Sequence, residues 1–318
     1  MAPPPTTAAP PSLSYELYPP VHRDASDSVL ETVAALEASR PDYVSVTYNG
    51  TPERRRASVE LIRHLTENTR LRPLAHLCCV GETRESLDLL VRYFLSLGVR
   101  GVLALRGDLP EDPEAFRGEL PFARYLVELI RDVERRHSAA LAGGRLAVGV
   151  AAYAHRHPES PSFQHDVEVL LSKERSGANF AITQVYFQPG DYERLVEAAR
   201  TAGVTIPIIP GIIPVSSVAR LRRLAVLTGL PAERELLHRL ETASSGAERH
   251  RIGVDHAAGL GRAALAAGAP GLHLYTFNDH RGSLDVIDAV GLPGTRAVPL
   301  DTGQLDLQPA GKPLGAAV

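Results

Sequence analysis

A glutamate set among aromatic and apolar neighbours is the first residue in this chain that could do chemistry. Glu16 stands in Ser-Tyr-Glu-Leu-Tyr-Pro-Pro. A carboxyl there would be partly stripped of water, which raises its pKa and suits it to general acid work near neutrality. A strand-end glutamate simply facing solvent fits the same residues. Arg106-Gly107-Asp108 follows the apolar run Val102 to Leu105. Glycine lets the backbone approach a flat ligand, and the aspartate can accept hydrogen bonds from ring N–H or amino groups. An ordinary turn with an internal ion pair reads equally well. Tyr153 and His157 lie in a third cluster, Tyr-Ala-His-Arg-His-Pro-Glu, able to stack on a heterocycle or bond a ribose. His155 and His157 could make half a metal site, but no third ligand stands at suitable spacing, so no metal is expected. Gln184 ends an apolar stretch, and a buried amide must bond either the protein or a ligand.

These residues need elements to position them. The body repeats one rhythm eight times: a short apolar run, a loop, then a segment with helical periodicity. The strands are expected at Leu13–Leu17, Tyr43–Thr47, Pro73–Cys79, Gly101–Leu105, Leu146–Ala152, Phe180–Tyr186, Ile206–Pro210 and Gly271–Tyr275. The helices are expected at Asp27–Ser39, Glu53–Glu67, Thr83–Leu97, Pro121–Arg136, Gln164–Ser176, Asp191–Ala202, Val215–Leu227 and Asp279–Val290. Two extra helices, Ala232–Ala243 and His250–Ala267, precede the last strand. Eight strand-then-helix units predict an α/β fold closed as a (β/α)8 TIM barrel. An open doubly wound sheet normally has fewer strands and a Gly-rich phosphate turn after its first, where this chain has Glu16–Pro20. On a barrel, chemistry sits at the carboxyl ends of the strands. Glu16, Thr47, His76, Arg106 to Asp108, Tyr153, His157, Gln184, Pro210-Gly211 and Tyr275 to Asn278 all fall there.

Composition narrows the class. The chain has 318 residues, 44% hydrophobic and 22% charged, with a net charge of −3, so it carries no basic footprint for nucleic acid or an anionic membrane. No apolar run reaches the ~18 residues of a membrane span. Residues 1–12 are Pro/Ala/Thr-rich and are expected to be a disordered segment without signal-peptide character. Residues 13–292 form the single catalytic barrel, and the Pro/Gly-rich 293–318 an extended tail. Adjacent Cys78 and Cys79 make no disulfide framework, so a reducing, cytoplasmic location is expected.

Together the motifs resemble methylenetetrahydrofolate reductase. They are Ser14 to Pro20, Val44 to Tyr48, His76 to Val80, Leu103 to Asp108, His157 to Ser160, Gly177 to Gln184, Ile208 to Ile212 and His273 to Asn278, in that family's order and spacing. The resemblance implies a flavin-bearing barrel of one-carbon and methionine metabolism that passes hydride from NAD(P)H to 5,10-methylenetetrahydrofolate, giving 5-methyltetrahydrofolate. It implies that Glu16 is the general acid, that Asp108 lies between flavin and pterin, and that Gln184 contacts folate. It places Thr47, His76, Leu105, Arg106, Gly107, Asp108, Ala123, Tyr153, His157, Asp166 and Lys173 along the flavin. Lys173 is one of two lysines among 34 basic residues. The partner implied is a small reduced folate, with copies of the chain associating as a homo-oligomer. Control by a separate regulatory domain is not expected.

Several positions depart from the family pattern, and most concern the cofactor. The loop Asn49-Gly50-Thr51-Pro52 is shorter and carries proline, and positions that hold the dinucleotide's polar groups fall on Val169 and Ser172. Each lost charge-assisted donor removes ~1.5–3 kcal/mol. A folate-holding glutamine falls on Arg220, a nicotinamide-stacking aromatic on Leu224, and an arginine on Asp279. The expectation is a divergent member with weakened or absent FAD. Alternatives are a non-catalytic folate- or nucleotide-binding barrel and a proline dehydrogenase-like flavin barrel.

Overall fold

A computed structural model describes residues 10–20, 26–48, 51–110, 112, 114–141 and 144–292. The tail at 293–318, most of the N-terminal segment, and Asn49 and Gly50 lie outside the described residues.

Short β-branched and apolar segments alternate with amphipathic helices along the chain. The order is β1 (Ser12–Leu17), α1 (Ser26–Ala38), β2 (Tyr43–Val46), α2 (Pro52–Asn68), β3 (Pro73–Cys78), α3 (Arg84–Ser96), β4 (Gly101–Leu105), α4 (Ala123–Arg136), β5 (Ala147–Ala152) and α5 (Phe163–Arg175). There follow β6 (Phe180–Thr183), α6 (Pro189–Thr201), β7 (Ile208–Ile209), β8 (Gly211–Ile212), α7 (Val218–Thr228), α8 (Arg234–Thr242), α9 (Gly246–Ala266), β9 (Gly271–Tyr275) and α10 (His280–Val290). Serine or threonine side chains cap several helices: Thr51, Thr83, Ser162, Ser217 and Ser245 each accept from a backbone N–H in the first turn.

The strands are parallel throughout and run β7-β6-β5-β4-β3-β2-β1-β9-β8. Because β7 and β8 are two halves of one segment, this order is a ring of eight. The segment is broken at Pro210, which has no N–H to give the ladder. Its first half pairs with β6 and its second half with β9, while the Pro210 carbonyl still accepts from the His273 N–H at 3.0 Å. The sheet therefore closes as the expected (β/α)8 barrel, with α8 and α9 as the extra helices before the last strand.

Boundaries differ in instructive places. The seventh strand was expected at Ile206–Pro210 and instead straddles the proline. The sixth was expected to reach Tyr186 but ends at Thr183, because Val185 and Phe187 turn away to join a separate core with Ile213, Leu221, Leu224, Leu236 and Leu240. The helix expected from His250 starts earlier, at Gly246, where Ser245 supplies the cap.

Two apolar layers hold the barrel. Outward residues such as Leu13, Tyr15, Val44, Leu77, Val102, Val150 and Leu274 pack against the helices in one continuous core. Inside, Tyr43, Leu74, Leu103, Ala147, Phe180, Ile182 and Ile209 plug the lower lumen. Strand alternation requires that the next inward residues stand above this plug. No helix among the described residues is long and apolar enough to cross a membrane.

Candidate active site

The residues above the plug are polar, and they gather around β1. Pleating turns Ser14 and Glu16 toward the lumen and Leu13, Tyr15 and Leu17 toward the helices. Glu16 pairs in register with Ser45 of β2 and Tyr275 of β9. It is only 5% exposed. Burial pushes its carboxyl up to about 7, opposed by a hydrogen bond from the Tyr18 phenol. His76 Nε2, on β3, lies 3.6 Å from Glu16 Oε2. Burial pushes His76 down to about 3, so its ring is neutral near pH 7 and the contact is not an ion pair. Nε2 is buried and has no hydrogen-bond partner among the described residues. A neutral neighbour cannot hold the carboxylate by charge, which is why desolvation decides the state of Glu16.

The segment after β9 fixes the mouth above this acid. Tyr275 reaches across the barrel, its hydroxyl donating to the Thr183 carbonyl at 2.8 Å. Gly211 makes room for it: a Cβ there would stand 2.2 Å from the Thr183 oxygen and 2.5 Å from the Tyr275 ring. Thr276 Oγ1 donates to the Glu16 carbonyl at 2.6 Å. Phe277 and Asn278 both adopt left-handed backbone, at φ 48° and 60°. That turn lets the Asn278 amide grip Tyr18 twice, accepting from its N–H and donating to its carbonyl, each at 2.9 Å.

A second group lies at the ends of β4 and β5. Leu105 packs on the lumen plug, Arg106 forms a two-pronged pair with Glu159 at 2.6 and 2.8 Å, and Asp108 is exposed beyond them. Gly107, at φ 88°, passes close over Cys78. The Tyr153 and His157 rings meet edge to face at 4.7 Å. Asp166 accepts from the His157 N–H at 2.9 Å. Lys173 is buried with Nζ on the Ala151 carbonyl at 2.8 Å, and burial pushes it down to about 8 against the pull of Asp166. Ala123 is the buried first residue of α4. Thr47 is buried just past β2. Gln184 is partly buried, its Oε1 accepting from the Val185 N–H at 2.9 Å. Glu16, His76 and Leu105 thus lie in the last residues of their strands, Thr47, Arg106 to Asp108, Tyr153, His157 and Gln184 follow strands, Ala123 and Asp166 stand in the first turns of α4 and α5, and Lys173 lies in the last turn of α5. His155 is instead held by Asp191, Nε2 to Oδ2 at 2.6 Å, and the described residues contain no group of three metal-ligating side chains.

The sequence profile of the methylenetetrahydrofolate reductases matches residues 6–291. The chain belongs to that family. It is therefore an oxidoreductase. The 5,10-methylenetetrahydrofolate reductase of Salmonella typhimurium is 31% identical over 285 residues, spanning 89% of this chain and 92% of the relative. That of Pectobacterium carotovorum is 30% identical over 284 residues, spanning 88% and 90%. Among solved structures, a Clostridium thermocellum protein described as binding two copies of 5-methyl-5,6,7,8-tetrahydrofolic acid superposes with a TM-score of 0.59 at 13% identity, over 89% of this chain and 96% of that one. At that identity it shows the shared fold alone.

Methylenetetrahydrofolate reductases of this kind imply a flavin, and the cradle of this member fits one poorly on its phosphate side. Val169 is an apolar side chain, 36% exposed, where a polar contact would be needed. The Ser172 hydroxyl accepts from Arg124 at 3.3 Å, and the other arm of Arg124 donates to Tyr125. Arg106 is occupied by Glu159 and Lys173 by a strand carbonyl. A pyrophosphate needs free charge-assisted donors, and these cations already have acceptors. At the other departures, Leu224 is buried in the α7–α8–α9 core, Arg220 lies 5.6 Å from the centre of the Phe277 ring, and Asp279 stands at the N-cap of α10 without a side-chain cap bond.

One residue at the acid escaped the sequence reading as a site residue, namely Tyr18. Its only linear signal is the two-residue spacing from Glu16, and the grip of Asn278 from 260 residues away gives that spacing its meaning.

Proposed function

We propose that this chain reduces 5,10-methylenetetrahydrofolate to 5-methyltetrahydrofolate with hydride taken directly from NAD(P)H. The observation that carries this reading is Glu16, a buried carboxyl whose pKa of about 7 keeps about half of it protonated at neutral pH. Glu16 protonates N10 of the folate's five-membered ring. The N10–methylene bond breaks, and the N5 lone pair forms the N5-iminium. Hydride from C4 of the reduced nicotinamide adds to the methylene carbon, giving the N5-methyl group and the oxidised nicotinamide. One proton and one hydride are consumed, and solvent later returns the proton to Glu16.

The remaining roles follow from side-chain chemistry. Asp108 offers a carboxylate to the amino and N–H groups of the pterin, and Gln184 offers both donor and acceptor to its edge. His76, neutral beside Glu16, offers no charge to hold the acid as an anion. Thr47, Leu105, Arg106, Gly107, Ala123, Tyr153, His157, Asp166 and Lys173, the positions that the resemblance gives to the flavin, lie on β2 to β5, the segments after them, α4 and α5; the nicotinamide dinucleotide carries a pyrophosphate of its own, and no residue is assigned to it. The flavin contacts that the resemblance places at Val169 and Ser172 are missing, one position being apolar and the other already taken by Arg124, which supports a reaction without resident flavin, and no step is assigned to one.

The test is turnover with methylenetetrahydrofolate and NADH or NADPH, each with and without added FAD. Nicotinamide oxidation matched by 5-methyltetrahydrofolate without FAD is expected. Strict dependence on FAD, or a stoichiometric yellow flavin on the purified protein, overturns the direct transfer. A non-catalytic binder has no use for a desolvated acid and would show no turnover under any of these conditions.

A further inference from the structure

The general acid is not left alone at the mouth of the barrel. Tyr18, two residues on and so on the same side of the chain as Glu16, is the hydrogen-bonding neighbour that opposes the upward push of burial on the Glu16 carboxyl, and two contacts hold it in place. The Asn278 side chain grips its backbone at both N–H and carbonyl. Its ring stacks on Phe277 with centroids 5.3 Å apart and planes 23° apart. The Arg220 guanidinium in turn lies over the Phe277 ring, 5.6 Å from its centre. The left-handed pair Phe277-Asn278 makes this grip, and non-glycine residues rarely adopt that conformation without an opposing constraint.

We propose that Tyr18 is a positioning residue for the acid, its phenol donating to the Glu16 carboxylate as the proton leaves for the substrate. The proposal rests on Glu16 being the general acid. A phenol O–H can donate to a carboxylate in either stage of the reaction, but the bond is stronger once the charge develops. Among the groups facing Glu16 it is the one suited to this task. From β3, His76 Nε2 is neutral and 3.6 Å away. From β9, the Tyr275 hydroxyl is committed to the Thr183 carbonyl, and Thr276 serves the Glu16 backbone and not its carboxyl. From β2, Ser45 is the register partner of Glu16 and contributes no charge. Burial makes the carboxyl a weak acid, and the Tyr18 bond moderates it so that transfer remains fast at neutral pH.

The experiment compares the wild type, Tyr18→Phe and Glu16→Gln in the full chain. It measures kcat and KM for methylenetetrahydrofolate across pH, together with thermal melting. Tyr18→Phe keeps the ring stack and the backbone grip, so its melting temperature should be unchanged below about pH 6, where Glu16 is protonated in the fold. Its alkaline limb should move up by about one pH unit, because a bond to the anion has been removed. Its optimum kcat should fall roughly tenfold with KM for the folate unchanged. An alkaline limb that stays in place in Tyr18→Phe, while Glu16→Gln abolishes it, overturns the role of Tyr18 and leaves Glu16 as the acid. A limb that persists in Glu16→Gln overturns the general-acid reading itself. Should turnover be too slow to follow, titration of carbon-13-labelled glutamate by NMR, with Glu16 assigned by its loss in Glu16→Gln, gives the same decision. A Glu16 titration unchanged by Tyr18→Phe refutes the proposal.

Discussion

Replacing Glu16 with glutamine should stabilise the protein at alkaline pH while destroying its activity. Burial raises this carboxyl from an ordinary 4.5 to about 7. An acid whose folded pKa lies above its unfolded one stabilises the fold, relative to the ionised state, below pH 4.5, and that advantage is lost as pH rises through 7. At ~1.4 kcal/mol per pH unit, the ionised carboxyl costs the fold about 3 kcal/mol near pH 8 and only about 1 kcal/mol near pH 5. Glutamine has nearly the same shape, can accept the Tyr18 phenol proton, and carries no charge to desolvate. For a domain of this size ~1 kcal/mol corresponds to roughly 2 °C in melting temperature. The variant should therefore melt about 6 °C higher near pH 8 and about 2 °C higher near pH 5. Calorimetry or circular dichroism at the two pH values reads the gap directly. General acid catalysis contributes ~10²–10⁴-fold, so kcat should fall by that factor over the same range. A variant equally or less stable than the wild type near pH 8, with no change in the gap toward pH 5, would refute the desolvation argument for this acid.

Other substitutions test the surroundings. Lys173→Met removes a buried ammonium whose pKa burial lowers to about 8; a depressed base weakens the fold below pH 8 and not above its ordinary 10.5, so the variant should gain stability near pH 6 relative to pH 10, as chemical denaturation at the two values would show. Gly211→Ala drives a Cβ into the Thr183 carbonyl and the Tyr275 ring; a cost of about 3 kcal/mol or more is expected in the midpoint of urea unfolding. Asn278→Ala loses both bonds to Tyr18 and strains an L-residue at φ 60°; it should cost about 3 kcal/mol, and Asn278→Gly about 1 kcal/mol less because glycine accepts that φ freely. Arg106→Ala opens a pair with the half-exposed Glu159 and should change stability by less than about 1 kcal/mol, while any rise in KM for the nicotinamide cofactor would place it beside that cofactor.

Much of this protein could be read along the line. The eight alternations of apolar run and amphipathic segment specify the barrel, because strands buried on both faces must be apolar and helices apolar on one. The placement of Glu16, Thr47, Arg106, Tyr153 and Gln184 just where apolar strands stop identifies the working rim, since a polar side chain is tolerated only where the lumen plug ends. Where the reading slipped, tertiary packing had overridden local pattern. Val185 and Phe187 continue the hydrophobic run of β6, yet a separate core beneath α7 to α9 draws them out of the sheet. The strand expected to end at Pro210 resumes beyond it, where Gly211 and Ile212 pair with β9. For the state of the site the sequence left two readings open, a desolvated Glu16 and one facing solvent, and packing decided between them. Glu16 becomes an acid near pH 7 because burial raises its pKa and the Tyr18 phenol holds that rise in check, with a neutral His76 beside it and Asn278 gripping Tyr18, encounters that join residues 60 and 260 positions apart. Residue type determined which chemistry was available; the closing of the ring of strands decided which groups lose their water together, and a pKa depends on that shared loss.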